Sequence, residues 1–266
     1  IAVQVASTGQ FDLQSYQETL TNSGTALTMT VSQTTSAALT GTGAGFLRLG
    51  STTADQSNIV VLVRPGILSA VPASITANLN LLPNGGTTSL SRIIDVADGP
   101  GEVELIISSV IDDGGGAGGI GNVKKRGAGR LVLSGSNALD GYVNPEAGVL
   151  RAANASAFGA ASGGVTVSSG AVVELDGASI TSGETLAIAG YGIVNGPITP
   201  YYAYGLGTGV LRNLAGNNTW SGTVTLNASD ASIEVADGST LTLSGVLAQS
   251  GTRSVIKTGP GTLEFA

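Results

Sequence analysis

The 266-residue chain contains no cysteine and no histidine. Without thiols there is no disulfide framework, no thiolate nucleophile and no Cys-ligated metal. Without imidazole, Ser-His-Asp and Cys-His catalysis and the zinc sites built on those ligands are excluded. Charge is scarce as well: charged residues make up 11% of the sequence, 11 basic against 18 acidic, for a net charge of −7. The only basic cluster, Lys124-Lys125-Arg126, adjoins a turn, and one triplet is too little to displace counterions along a phosphate backbone. No nucleic-acid partner is expected. No apolar run approaches the roughly 18–20 residues a spanning helix requires, so no membrane-spanning segment is expected in this stretch. The lack of thiols does not fix the compartment, because an exported chain also gains from having none to oxidise prematurely.

What the chain has in abundance is glycine, 41 residues of it. Its apolar residues come as short bursts of Val, Leu and Ile, separated by Gly, Ser, Asn, Asp and Thr. This is the texture of many short strands with tight turns. In Thr240-Leu241-Thr242-Leu243 the two Leu fall on one face of a strand and the two Thr on the other, so one face is buried and one is wet. The expected class is all-β, with a single hint of a helical turn at Ser156 to Ala161.

One phrase is written twice. Val123-Lys124-Lys125-Arg126-Gly127-Ala128-Gly129-Arg130-Leu131 matches Val255-Ile256-Lys257-Thr258-Gly259-Pro260-Gly261-Thr262-Leu263. Upstream, Ile94-Asp95-Val96-Ala97-Asp98-Gly99 matches Ile233-Glu234-Val235-Ala236-Asp237-Gly238. The offset between copies is smaller at Lys125 and Lys257 than at Ile94 and Ile233. The Gly-rich stretch 112–119, longer than its counterpart around Gln249-Ser250-Gly251, accounts for the change and is expected to loop outside a regular stack. A second shared phrase sets Asn137-Ala138-Leu139-Asp140-Gly141 against Asn218-Thr219-Trp220-Ser221-Gly222.

Repeated strand–turn–strand phrases mark a stacked architecture in which each unit buries its apolar side against its neighbours. The expected fold is a right-handed parallel β-helix, with a β-sandwich or jelly-roll pair as the alternative. Aromatics at 4% are few for the space between two sheets. Asn-Gly does occur, at Asn84-Gly85, but not between matched strands as a hairpin would have it. At ~20 residues per coil and ~4.8 Å per coil, the rod would be about 60 Å long. Residues 1–50 are the least regular and are expected to form an edge or connecting segment, with the repeat-containing β-helix over 51–266. The start at Ile1, and an end directly after a strand, lead us to expect a fragment of a longer chain.

The stretch Lys125-Arg126-Gly127-Ala128-Gly129-Arg130-Leu131-Val132-Leu133-Ser134-Gly135-Ser136-Asn137, continuing to Gly141, resembles the autotransporter-associated β-strand repeat of bacterial autotransporter passengers. Ala157-Phe158-Gly159 and the run from Gly163 to Ala171 resemble it too. The likeness covers about Ile93 to Ala266. It implies a right-handed β-helix passenger, exported and displayed at the bacterial cell surface or released outside the cell. No C-terminal membrane barrel accompanies it here, which leaves the secretion route open.

Few residues carry chemistry. Asp112 and Asp113 adjoin the Gly-rich stretch and are the best candidates for the paired carboxyls of a carbohydrate-active lyase or hydrolase; the competing reading is a solvated turn in which Asp bonds local amides. Asp95, Asp98, Glu234 and Asp237 recur with the repeat, which suits turn chemistry better than a single catalytic centre. No EF-hand loop or tandem calcium motif is present, and neither metal nor cofactor is expected. Tyr201, Tyr202 and Tyr204 lie in a Pro-flanked, Gly-rich stretch and are either a sugar-stacking or adhesive loop, or rings that cover the stack. Trp220 reads as a packing anchor, and Lys125 and Lys257 as side chains snorkelling beside their Gly-x-Gly turns. The expected protein is a non-enzymatic stalk, adhesin or matrix component. Its expected partners are further copies of itself, in fibres or a surface lattice, or a glycan or host surface; the alternatives are a carbohydrate-active enzyme or a pure binding module.

Overall fold

The computed structural model describes every residue except 44, 115–117, 194–207 and 250. Every ladder between its strands is parallel. The chain winds as a three-sided coil that returns onto itself, the architecture of a right-handed parallel β-helix. The first side is built by Val3–Val5, Thr25–Val31, Asn58–Val63, Leu90–Val96, Gly121–Arg126, Val143–Pro145, Val165–Thr166, Leu186–Gly190, the start of Val224–Val235, and Leu247–Gln249. That makes ten coils. Each then passes to a second side, such as Leu105–Ile107 or Arg130–Leu133, and to a third, such as Asn78–Asn80 or Thr240–Leu243. No α-helix is present among the described residues: 156–161 forms successive turns, with Ala157 N–H donating to Asn154 O at 3.0 Å and Gly159 N–H to Ser156 O at 3.1 Å.

The interior is filled by columns of like side chains, because alternate residues of each strand point inward and the register repeats coil after coil. On the second side Leu105, Leu131, Leu150, Val173, Leu211 and Ile233 stand one above another, all fully buried. Each contributes roughly 1.5–3 kcal/mol by leaving water. Residues 1–50 supply the first two coils, and strands on either side of residue 50 pair with each other, Phe46–Leu49 with Asn78–Asn80.

Coil length varies more than the sequence suggested. Val123, Val143, Val165 and Leu186 are successive register partners and keep close to the expected coil length. The steps from Leu27 to Ile59, Ile59 to Ile94 and Leu186 to Val224 are also single coils, yet each is about half as long again or longer. The described extra residues, such as 50–57 and 64–72, leave at the corners and do not lengthen the rod, so nine steps of ~4.8 Å give a stack of about 43 Å rather than 60 Å. Asn84-Gly85 sits in one such excursion and not in a hairpin.

The two copies of the repeated phrase do not share a side. Lys125 lies on the first side and stacks on Ile94, whereas Lys257 lies on the second and stacks on Ile233. Their corners are nevertheless alike. Gly129 N–H donates to Val96 O at 2.9 Å, and Gly261 N–H donates to Val235 O at 2.9 Å. Gly127 and Gly259 both hold a left-handed φ, 72° and 75°, a conformation that costs other residues about 1 kcal/mol or more. The phrase thus encodes strand, corner, strand, on whichever side it falls. One revolution of the coil carries Ile94 to Lys125 in the first copy and Ile233 to Lys257 in the second. The second revolution is the shorter, and that difference is the whole of the change in offset between copies. Of the Gly-rich stretch, Asp112 ends a strand, and Asp113, Gly114, Gly118 and Gly119 lie outside the ladders before Gly121–Arg126.

Candidate functional site

The largest accumulation of charge lies on the outer face of the second side. Arg151, Glu174, Arg212 and Glu234 are successive register partners, so four coils place their side chains in one column. Glu174 is fully buried beneath three guanidinium groups: Arg130 Nε at 3.0 Å, Arg151 Nε at 2.9 Å and Arg212 Nη1 at 2.7 Å. Arg151 also reaches Glu102 at 2.8 Å, and Arg212 reaches Glu234. Bidentate-capable Arg suits such a cluster because its fork can serve two coils at once.

Beside this column, at the corner between first and second sides, a hollow of about 400 Å³ is lined by Asp98, Glu102, Glu104, Arg130, Gly148 and Ile193 among others. Glu104 is 1% exposed. One of its oxygens accepts the Arg130 N–H at 2.7 Å; the other, Oε1, has no hydrogen-bond partner among the described residues. Burial pushes this carboxyl up, against the opposing pull of the Arg130 amide. Glu102 is held below its usual range by its hydrogen bond to Arg151. Both carboxyls are engaged in holding their neighbours, Glu104 through the Arg130 amide and Glu102 through the Arg151 guanidinium.

Lys125, read from the sequence as snorkelling, instead points inward and is fully buried. Its ammonium donates to the carbonyls of Gly127, Gly129 and, at 2.9 Å, Ala147. Gly129 O also accepts the Val149 N–H of the next coil, at 3.4 Å, and the ammonium supplies corner carbonyls of both turns with a further donor. Burial lowers its pKa to about 8, with Asp95, Glu104 and Asp98 opposing the shift. Lys257 makes only the first of these contacts, to Gly259 O, and is exposed. Arg92 plays the same part elsewhere: fully buried, it donates to the carbonyls of Leu81 (2.8 Å), Thr53 (3.0 Å), Gln56 (3.1 Å) and Ser51.

Asp112 and Asp113 are not brought together as a catalytic pair. As neighbours at the end of a strand they diverge: Asp113 is buried and accepts the Asp140 N–H at 3.0 Å, while Asp112 is half-buried on the outer face and accepts the Gly114 N–H. Tyr201, Tyr202 and Tyr204 lie outside the described residues. Trp220 is fully buried, tilted against Phe158 with ring centroids 5.7 Å apart, and donates from Nε1 to Glu184 O at 2.7 Å. Among the described residues no group of three or more acidic side chains is placed to hold a metal ion.

The corner between third and first sides carries a column the sequence did not reveal: Gly121, Gly141, Gly163, Glu184, Gly222 and Gly245. A Cβ at Gly141, Gly163 or Gly245 would lie 2.0–2.2 Å from the carbonyl oxygen of the glycine one coil below. Glu184 stands alone in this column as a larger residue. Its side chain is fully buried, and neither carboxyl oxygen has a hydrogen-bond partner among the described residues. Burial raises its pKa to about 7, opposed by the Gly164 amide.

No family model and no solved structure matches the chain. Among curated proteins, the adhesin BmaC autotransporter of Brucella suis biovar 1 (strain 1330) is 34% identical over 120 residues. The match covers 42% of this chain and 4% of that protein's length, so it records a local likeness to one part of a very long adhesin.

Proposed function

We propose that this β-helix is a non-enzymatic, passenger-like segment of a bacterial surface or extracellular protein, acting as a stiff stalk or adhesin. The observation that carries the reading is the parallel stack, with its cations and carboxylates spent on joining coils. The likeness to a stretch of an autotransporter adhesin supports it. A stack in which each coil touches only its neighbours spans distance at constant cross-section, which suits display away from a cell surface. Partners in this reading are a glycan or host surface, or further copies of the chain in fibres or a lattice. Expressing the chain at the surface of a non-adherent bacterium tests it: attachment to host cells or matrix should rise several-fold, and unchanged attachment contradicts the adhesin role.

A further inference from the structure

On the outer face of the third side, coils two to four form a hollow of about 420 Å³ lined by Phe46, Asn78, Asn80, Asp112 and Gly114 among others. The register makes it. Phe46 and Asn78 are partners in one outward column, and Arg48, Asn80 and Asp112 are partners in the next. Phe46 is half-buried, and the Arg48 guanidinium carbon lies 5.0 Å from its ring centroid. Arg48 is fixed there by Nη1, which donates to Leu82 O at 2.9 Å and Asn80 Oδ1 at 3.3 Å. Its Nε and Nη2 have no partner among the described residues. Asn78 Oδ1 accepts the Val110 N–H at 3.2 Å, and its Nδ2 has no partner among the described residues. Asp112 Oδ1 accepts the Gly114 N–H, and Oδ2 has no partner among the described residues.

Arg48 covers one face of the Phe46 ring, and on the side that lines the hollow the ring stands beside the Asn78 donor and the Asp112 acceptor, a complementary surface for a ring with one apolar face and vicinal hydroxyls. Each fixed polar group can hold a hydroxyl, and ordering costs are low because backbone contacts already restrain Asn78, Asn80, Arg48 and Asp112. We infer that this shelf binds a neutral saccharide, with a pyranose against the side of Phe46 that lines the hollow and its hydroxyls shared between Asp112 and Asn78. A single carboxylate cannot supply the acid and base of glycoside hydrolysis, so the shelf binds and does not cleave. The inference rests on the adhesin reading and gives it a ligand class.

The test is saturation-transfer difference NMR on the intact chain with tetrasaccharides of glucose, mannose, galactose and N-acetylglucosamine. At least one should receive saturation on its ring protons. Phe46→Ala and, separately, Asp112→Asn should each weaken that binding at least tenfold, with circular dichroism showing both variants folded as β-sheet. No transfer to any of the four, or binding unchanged in both variants, overturns the shelf. In the surface-display assay, attachment unaltered by Phe46→Ala also overturns the shelf and leaves the adhesin reading intact. Saccharide binding without any attachment does the reverse.

Discussion

A methyl group at Gly163 would sit 2.0 Å from the Gly141 carbonyl oxygen, whereas one at Gly24 would meet nothing within 4 Å. Backbone on backbone cannot give way as a side-chain tip can, so Gly163→Ala must spread two coils. We expect Gly163→Ala to cost about 2–3 kcal/mol or more in urea unfolding and Gly24→Ala less than about 0.5 kcal/mol. Glu184 occupies the same column with a buried, unpaired carboxyl. Its folded pKa of about 7 lies above the ordinary value of 4.5, so the folded state holds the proton more tightly than the unfolded one. The contribution is fully present below pH 4.5 and is lost as pH rises to 7, amounting to roughly 3 kcal/mol. Thermal melts should therefore show a fall in stability between about pH 5 and 8 that is clearly smaller in Glu184→Gln. Equal slopes in the two proteins would contradict the burial of an ionisable carboxyl there. Neither feature was legible in the sequence. A glycine at a coil corner looks like any other, and the column appears only once the irregular coil lengths are known.

Among the elements, the corner written twice is where the sequence spoke most clearly. Lys-x-Gly-x-Gly announced a turn between strands, and the structure places one at both copies. The direction of the lysine was not legible, because a snorkelling and a capping lysine have the same neighbours in sequence. The distinction depends on contacts a full coil away in sequence: Ala147 O completes the cage of Lys125, and among the described residues Lys257 donates to Gly259 O without an equivalent of that contact. Lys125→Met should cost about 3–5 kcal/mol, since it strands buried carbonyls, while Lys257→Met should stay within about 0.5 kcal/mol. Equal effects would refute the cage. The column through Arg151, Glu174 and Arg212 acts on the same scale. Glu174→Gln leaves three guanidinium groups around a neutral amide, and we expect a loss of roughly 2–4 kcal/mol that about 0.5 M salt does little to change, because the partner is buried.

For the molecule as a whole, the parallel stack was legible because alternation, glycine punctuation, scarce aromatics and self-similarity all pointed one way. Its length was not. The expectation of a uniform, short coil holds from Val123 to Leu186, where corners are tight, and fails where excursions such as 50–57 and 64–72 leave the ladder. Candidate sites fared worst, because recognition on a β-helix is assembled from single residues a full coil apart: Phe46 and Asn78, far separated in sequence, touch one hollow.

The parallel register itself is open to direct measurement, and the chain's lack of cysteine makes the background clean. Thr28 faces Val60 and Thr30 faces Leu62 in adjacent first-side strands. Oxidation of the double variants Thr28→Cys/Val60→Cys and Thr30→Cys/Leu62→Cys should form both disulfides readily, with the Thr30→Cys/Asn58→Cys control staying reduced. An antiparallel pairing centred on the first pair would bring Thr30 to Asn58 instead, so a cross-linked control beside an uncross-linked Thr30→Cys/Leu62→Cys protein would contradict the coiled stack.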